Sequence, residues 1–512
     1  MVRRCLPCLV VAGLSFAYFL TYPLAIGRAD ESHLLYGAKR VLQGQVIYRD
    51  FFEILTPLSY YLFAGIYRVA GTTLRAARVG IAVIEAVGCA ALFHLARRVA
   101  SALEATLAVA LFTCICIPTW PYASPHWIST TLALLVAAVL LAVRWQRSVR
   151  ARPLVAGVLA GAAVCVQQQR GVFLAAWVPL ALFVLSFSLP SPGRWRTLGR
   201  EVAWAAGAGA AVVLGVLGYA AWASSLTSIV DMLYRLPVNN YASVVSRVNR
   251  WAAELPLTGI FRTAAWQPVL LRVSPLFVVC EGALLLLGAR CPQPRSGLER
   301  ACLVLLAALM MLSVWYLPDF IHVSFILPFL LIPGASLLHR LRVVPLWDRV
   351  PAGRHALTVG VALLSLAVVG QGAANVVSAY ERAPERLATA FGALRVDADS
   401  ARVFRAVRTH LVREPDGRTL LYSYPDDAWL YLALPADDAT RYSVLLPKMF
   451  PAEDIEEAAA VLRARRPGTV LVVPFQMGPV GTALEGGYDV VEEVGPYRIF
   501  VRREAPVSGA GG

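Results

Sequence analysis

Residues 28–79 read RADESHLLYGAKRVLQGQVIYRDFFEILTPLSYYLFAGIYRVAGTTLRAARV, a largely polar stretch between apolar segments at 7–27 and 79–96. An apolar run of about 20 residues is long enough to cross a bilayer as a helix. Such runs recur along the chain, at 103–119, 127–143, 153–168, 172–189, 201–222, 268–289, 301–316, 323–338 and 355–377. The sequence therefore predicts a polytopic α-helical membrane protein with about eleven transmembrane helices, in which residues 28–78 form the first long loop.

The composition supports this class. Of the 512 residues, 58% are hydrophobic and 15% are charged, whereas a soluble protein has about 25% charged residues. Residues 1–379 carry 31 Lys and Arg against 13 Asp and Glu, and residues 380–512 carry 16 against 19. The positive excess therefore lies in the apolar part, where it orients helices, and it implies no nucleic-acid partner.

The arginines fall in alternate loops, as expected when the cytoplasmic loops carry the positive charge. With the N-terminus inside, the cytoplasmic loops include Arg97, Arg98, Arg144, Arg147, Arg194, Arg196, Arg290, Arg295, Arg340 and Arg342. The short opposite turns 120–126 and 317–322 contain none. We therefore expect a multi-pass protein of the cell (inner or plasma) membrane with a cytoplasmic N-terminus. Arg3 and Arg4 also fit a cleaved signal peptide, but the alternation favours a retained anchor.

The polar C-terminal part alternates helical and strand-like patterns. TLLYS (419–423) and TVLVVP (469–474) resemble strands, EDIEEAAAVLRARR (453–466) resembles a helix, and YDVVEEVGPYRIFVRR (488–503) predicts two strands joined at Gly495-Pro496. We expect a transmembrane domain at 1–379 and an extracytoplasmic α/β domain at 380–512.

Two helices are predicted inside the first loop. HLLYGAKRVL and TPLSYYLFAGIYRVAG are each too short or too polar to span the membrane. Both are interpreted as helices that lie in the membrane interface, with Tyr60, Tyr61 and Tyr67 at headgroup depth.

The same loop contains four of the scarce acidic residues, of which Asp30 and Glu31 come directly after the first span. A low-dielectric setting disfavours an ionised carboxylate and raises its pKa toward that of a useful general base. The pair is therefore a candidate catalytic site. An alternative is a solvated pair that caps the following helix and offsets its dipole.

Segment 28–79 resembles the first outer loop of GT-C superfamily glycosyltransferases, which use polyprenyl-phosphate sugars and include protein O-mannosyltransferases and aminoarabinose transferases. The family pattern is an acidic pair, a helix ending in Gly, an aromatic-Arg-Asp turn, a Pro-containing helix and an Arg that opens the second span. The matching positions, in order, are Asp30-Glu31, Gly44, Tyr48-Arg49-Asp50, Pro57 and Arg78. VAGVLAGAAVCVQQQRGVFLA (155–175) resembles the family's fifth span, and PDDAWLYLALP (425–435) resembles part of its extracytoplasmic domain.

The resemblance implies an inverting hexosyl- or pentosyltransferase. Asp30 would take the proton of an acceptor hydroxyl, and Glu31 would position the sugar or the acceptor. The donor would be a polyprenyl-phosphate sugar in the bilayer, and the acceptor a glycan, a lipid or a protein. A phosphate leaving group needs cationic stabilisation rather than a general acid. No cofactor is required, no metal ligands are assigned, and a divalent metal ion stays open.

The candidates for binding the phosphate or sugar of the donor share a position on the outer side and are Arg49, Asp50, Arg170, Lys39, Asp319 and His322. Arginine forks suit phosphate oxygens. Arg170 lies where the topology rule disfavours an arginine, which favours a phosphate contact. The alternatives are that Arg170 extends to lipid headgroups, that Lys39 faces lipid phosphate, and that His322 is only hydrogen bonded.

Other classes of function stay open at this point. A transporter or flippase of lipid-linked sugar predicts repeats and several buried charges, whereas only Glu85 and Glu281 lie deep in predicted spans. These two acids are interpreted as structural. A lipid-linked glycan polymerase or ligase would handle similar donors but would depend less on Asp30 and Glu31.

Overall fold

The computed structural model describes residues 2–28, 30–142, 150–188, 192–241, 266–288, 297–315, 320–344, 351–447 and 449–503. Its first fourteen helices in these ranges are α1 (Val2–Phe19), α2 (Asp30–Leu42), α3 (Leu58–Ala70), α4 (Leu74–Val99), α5 (Ala102–Leu111), α6 (Pro125–Ala142), α7 (Ala151–Val166), α8 (Gln168–Ser186), α9 (Arg194–Ala223), α10 (Leu226–Val230), α11 (Trp266–Leu286), α12 (Gly297–Ser313), α13 (Phe320–Val343) and α14 (Pro351–Arg382). α5 continues through a π-helical turn (Phe112–Cys116) and a 3-10 turn (Ile117–Thr119).

Each of the predicted spans overlaps one of these helices. Within the described residues, six helices are long and apolar enough to cross a membrane: Leu74–Val99, Ala102–Thr119, Gln168–Ser186, Arg194–Ala223, Ile321–Val343 and Ala352–Arg382. α1, α6 and α7 contain shorter apolar helices. The fold class is confirmed, and the chain is a multi-pass membrane protein. The number of crossings stays a prediction.

Small residues allow α7 and α9 to approach closely. A Cβ atom added to Gly157 would lie 2.1 Å from the carbonyl oxygen of Ala205, and one added to Gly161 would lie 2.5 Å from that of Gly209. Side chains at these positions would therefore separate the helices, which is why membrane helices that pack by backbone contact use small residues.

The residues after α14 form the tail (383–503), and the helix ends that face it form the tail side of the bundle. Ion pairs join helices near the opposite ends: Arg300 with Glu281 at 2.5 Å is buried, and Arg98 with Glu299 and Arg342 with Glu104, both at 2.6 Å, are partly buried. Glu281 also accepts a hydrogen bond from Ser336 at 2.7 Å, which agrees with its interpretation as a structural group.

The tail is an α/β unit, as predicted. β1 (Glu385–Thr389) and β2 (Gly392–Val396) form an antiparallel hairpin. β3 (Leu420–Tyr424), β4 (Asp437–Asp438), β5 (Thr469–Val472), β6 (Tyr488–Val494) and β7 (Tyr497–Arg502) form a sheet in the order β4-β3-β5-β7-β6. The first three strands are parallel and the last two pairings are antiparallel. The tail helices are α15 (Ala398–Thr409), α16 (Trp429–Ala433), α17 (Ala452–Arg465) and α18 (Gly478–Leu484).

The tail packs directly on the first loop. The Arg395 amide donates to the Leu24 carbonyl at 2.8 Å, and the Phe52 amide donates to the Arg441 carbonyl at 3.0 Å. The ring of Tyr36 stacks on that of Tyr431 with centroids 4.9 Å apart. α14 ends at Arg382 and β1 begins at Glu385, and the division into two domains at residue 380 stays a prediction.

The two predicted loop helices exist as α2 and α3, but the environment predicted for two tyrosines is wrong. Tyr60 is 1% exposed and Tyr67 is 2% exposed. Tyr60 donates a hydrogen bond to Glu53, and Tyr67 packs edge-on against Phe391 of the tail. Both rings therefore lie inside the protein instead of at headgroup depth, Tyr60 against Gly37 of α2 and Tyr67 against the tail.

Candidate active site on the first loop

The first turn of α2 places Asp30 and His33 on one side of the helix, since residues three apart are neighbours on a helix surface. The His33 imidazole Nε2 lies 2.6 Å from Asp426 Oδ1, and its Nδ1 lies 3.2 Å from Ser443 Oγ. Asp426 and Ser443 belong to the tail. We call Asp30, His33, Glu53 and Asp426 the carboxylate cluster.

Asp30 is solvent-exposed, yet the surrounding protein removes enough water to raise the pKa of its carboxyl. The negative charge of Asp426 acts in the same direction, while His33 and His322 act to lower this pKa. Among the residues that the structure describes, no other side chain donates a hydrogen bond to the Asp30 carboxylate. An accessible carboxylate that accepts no side-chain hydrogen bond within the described part of the chain and has a raised pKa has the properties of a general base.

The other members of the carboxylate cluster, His33, Glu53 and Asp426, are ionisable groups, and burial and mutual contacts shift the pKa of His33 and of Glu53. Burial acts to lower the pKa of His33, but the carboxylates of Asp426, Glu53 and Asp30 together outweigh it, so the pKa is raised and the imidazolium form is favoured. Burial raises the pKa of Glu53 to about 7, although Tyr60, His33 and Arg40 act to lower it. Tyr60 donates to Glu53 Oε2 at 2.5 Å.

Glu31 has a different environment from Asp30, although the two are adjacent in the sequence. Its carboxylate accepts hydrogen bonds from the Gly27 amide at 2.7 Å, the Ala123 amide at 2.8 Å and the Arg78 guanidinium at 2.9 Å. Burial raises the pKa of this carboxyl, while the Arg78 guanidinium and the two amides favour its ionised form. Glu31 is 0% exposed, so the structure does not support its predicted contact with sugar or acceptor. We assign it a positioning role.

Arg170 lies at the start of α8, on the tail side, and is 1% exposed. Its Nη1 donates to the His126 carbonyl at 2.7 Å, to Ser129 Oγ at 2.8 Å and to Thr130 Oγ1 at 2.9 Å. The alternative in which Arg170 extends to lipid headgroups is therefore wrong.

Arg170 belongs to a group of nitrogen-bearing side chains. The His126 and His322 rings contact edge to face with centroids 5.2 Å apart, and His126 Nδ1 lies 3.5 Å from Arg170 Nη2. We call Arg170, His126 and His322 the arginine–histidine cluster. Because His322 acts electrostatically on Asp30, the structure brings this cluster near the predicted base.

The other candidate donor contacts lie apart from these two clusters. Arg49 and Asp50 form an ion pair at 2.9 Å, and Asp50 also accepts from the Val46 amide at 2.7 Å. Lys39 donates to the Tyr431 carbonyl at 2.9 Å, at the contact with the tail. These side chains hold the loop and the tail in place, and their role as donor contacts stays a prediction. Asp319 lies outside the described residues.

The sequence missed His33 and Asp426 as site residues and did not single out Glu53. Asp426 and His33 are 393 positions apart, so no local pattern pairs them. The available signals were the PDDAW stretch at 425–429 and the helical spacing of Asp30 and His33. Within the described part of the chain, no group of three or more His, Cys, Asp or Glu has the arrangement of a metal site.

No protein-family model matches this chain, and no curated protein matches it. Several solved structures match this chain. ArnT from Cupriavidus metallidurans, bound to undecaprenyl phosphate, superposes over 97% of both chains with a TM-score of 0.61 at 13% identity. The chain has the GT-C fold.

Archaeal structures support the same fold. The Archaeoglobus fulgidus oligosaccharyltransferase in complex with Zn and sulfate superposes over 97% of this chain and 73% of its own, with a TM-score of 0.55 at 14% identity. The same enzyme tethered to an acceptor peptide with the NVT sequon superposes over 98% and 75%, with a TM-score of 0.53 at 14% identity. At these identities the likeness establishes the GT-C architecture alone, so the reaction has to be inferred from the residues of the candidate site.

Proposed function

We propose that this protein is an inverting glycosyltransferase that moves a hexosyl or pentosyl group from a polyprenyl-phosphate donor to an acceptor hydroxyl. The observation that carries the proposal is Asp30: an accessible carboxylate with a raised pKa, beside the His33–Asp426 pair. The GT-C fold of a protein that binds undecaprenyl phosphate adds support for the donor class.

The proposed reaction uses the two clusters for opposite charges. Asp30 accepts the proton of the acceptor hydroxyl while that oxygen attacks the anomeric carbon and forms the new glycosidic bond. The bond from the anomeric carbon to the phosphate oxygen breaks, and the polyprenyl phosphate leaves with the electron pair. Arg170 and protonated His33 supply positive charge for the phosphate, and His322 is a further hydrogen-bond donor, because preorganised cations and donors stabilise charge that develops in the transition state. The proposed transfer needs no metal ion.

The proposal places the reaction at the outer face of the cell (inner or plasma) membrane, with the N-terminus in the cytoplasm. Arginine-rich loops on the side opposite the tail support this orientation. A lipid donor keeps its chain among the spans while its phosphate reaches the tail side. The acceptor is a glycan, a lipid or a protein, and the tail closes over the site through Asp426.

The function is tested with the purified protein in lipid vesicles and a panel of polyprenyl-phosphate hexoses and pentoses. Release of polyprenyl phosphate together with a glycosylated acceptor supports the proposal. A product that grows by repeated additions would instead indicate a polymerase or ligase. Movement of the intact donor across the bilayer without consumption would indicate a flippase, and either result overturns the proposal.

Replacement of Arg170 by Lys tests the arginine–histidine cluster. Lysine keeps the charge but cannot reproduce the planar fork, so we expect kcat to fall about 10²-fold. The matched control is Arg68→Lys on α3, an exposed arginine that belongs to neither cluster. Equal kcat values for Arg170→Lys and the wild type, at equal melting temperature, would contradict a role in stabilising the phosphate.

Replacement of Asp426 by Asn tests the contribution of the tail. Asp426 raises the pKa of His33, so removal of Asp426 lowers that pKa. As the pH rises, the imidazolium of the variant then deprotonates at a lower pH than that of the wild type. We therefore expect the alkaline limb of the pH–rate profile to move to lower pH, with the largest loss of rate at neutral and alkaline pH. Asp399→Asn, an exposed tail carboxylate, is the control and should leave the profile unchanged. An unshifted alkaline limb would contradict the role of His33.

A further inference from the structure

A cleft lies on the tail side, and neither of the two clusters lines it. It has a volume of about 440 Å³ between the end of α1, the start of α4, the end of α14 and the β1–β2 hairpin. Phe19, Leu20 and Ile81 belong to its apolar lining, which the membrane helices supply. Neither the members of the carboxylate cluster nor Arg170 line it. The cleft is therefore separate from the candidate active site.

Arginines from three different elements line the tail-side part of this cleft: Arg75 from α4, Arg386 from β1 and Arg395 from β2. Arg75 and Arg386 are exposed, and within the described part of the chain neither side chain has a hydrogen bond or an ion pair. Arg395 lies over the Tyr380 ring at 4.9 Å and donates to the Ala383 carbonyl at 3.1 Å.

The remaining charges of the cleft do not neutralise this group. Arg78 also lines it, but this guanidinium is paired with Glu31 at 2.9 Å. Glu85 is the acid in the lining, and it lies about two helical turns further into the membrane than Arg78. The cleft is therefore positive toward the tail, and toward the membrane its lining is mainly apolar with the acid Glu85.

We propose that this cleft binds an anionic phospholipid, with the headgroup phosphate between Arg75, Arg386 and Arg395 and an acyl chain along Phe19, Leu20 and Ile81. Guanidinium groups bind phosphate through paired charge-assisted hydrogen bonds, which matches Arg75 and Arg386, since neither has a partner among the described residues. The apolar half favours a lipid over free phosphate, because an inorganic ion would leave that half uncovered. Since the three arginines come from α4 and from the hairpin, the lipid joins the tail to the membrane helices.

The test compares the full chain in detergent with added phosphatidylglycerol, phosphatidylcholine or inorganic phosphate. Lipid retention is measured by native mass spectrometry, and the melting temperature is measured in parallel. We expect phosphatidylglycerol to be retained and to raise the melting temperature, and we expect the Arg75→Ala/Arg386→Ala double variant to bind it about tenfold more weakly. Arg68→Ala, an exposed arginine that does not line the cleft, should bind like the wild type.

Three results would overturn the proposal. Equal retention of phosphatidylcholine and phosphatidylglycerol would show that charge does not select the ligand. Stabilisation by inorganic phosphate that equals stabilisation by phosphatidylglycerol would identify a simple anion site. Unchanged binding by a folded double variant would place the lipid elsewhere. None of these measurements depends on glycosyl transfer, so they are independent of the proposed function.

Discussion

Transfer by the Asp30→Asn variant is expected to fall roughly 10²–10⁴-fold, the usual contribution of a positioned general base. Asn has nearly the same shape as Asp but cannot accept the acceptor's proton. Because no other described side chain donates a hydrogen bond to Asp30, the change removes no structural contact and should leave the melting temperature unchanged. The measurement is the initial rate of polyprenyl phosphate release in vesicles that contain equal amounts of folded protein.

The pH profile distinguishes Asp30 from its neighbours. A base with a raised pKa is protonated as the pH falls through that pKa, so the wild-type rate should be lost on the acid side. The residual rate of Asp30→Asn should lack this acid limb. Asp416→Asn, an exposed carboxylate in a tail turn, is the matched control. If Asp30→Asn keeps the rate of the wild type while Glu53→Gln loses it, Glu53 is the base instead.

The Glu31→Ala variant is expected to lose about 3–5 kcal/mol of folding stability, the typical cost of removing one partner of a buried ion pair. The change leaves the partly buried Arg78 without its carboxylate and leaves the Gly27 and Ala123 amides without an acceptor. These groups join the first loop, the turn before α6 and the start of α4, so the loss loosens the frame that holds Asp30.

Unfolding is followed with a thiol-reactive dye, since Cys89, Cys165 and Cys302 are buried and become reactive only when the helices separate. Glu381→Ala, an exposed acid at the end of α14, is the control and should melt like the wild type. The Glu31→Ala/Arg78→Ala double variant should be more stable than the sum of the single losses predicts, because it leaves no unpaired buried charge. Purely additive losses would contradict the coupling.

The sequence predicted the features that depend on local residue patterns: the helices, the strands of the tail and the position of Asp30. Apolar runs marked the helices, and alternation marked the strands of the tail, because both signals lie within a few residues. Asp30 was found from its position directly after an apolar segment. Its neighbour Glu31 could not be separated from it, since adjacent helical positions point about 100° apart and only the fold determines which of them faces inward.

The sequence did not predict contacts between distant segments. Tyr60 and Tyr67 are residue types that favour the membrane interface, but Tyr60 is buried against Gly37 and Glu53 of the loop and Tyr67 packs on Phe391 of the tail. The His33–Asp426 pair joins residues 393 positions apart, and its chemistry appears only when the tail is in place. The sequence of the first loop therefore predicted Asp30, whereas the His33–Asp426 pair beside it could be recognised only from the tertiary structure.

Arg28 in the first loop contacts Asp427 and Tyr497 of the tail, so the loop acquires these two partners only after the tail has been synthesised. Arg28 leaves the ribosome early, whereas its partners follow 399 and 469 residues later. Every helix must therefore be inserted before the loop acquires its final partners. A nascent chain that stops short of β7 therefore lacks the Tyr497 contact of Arg28.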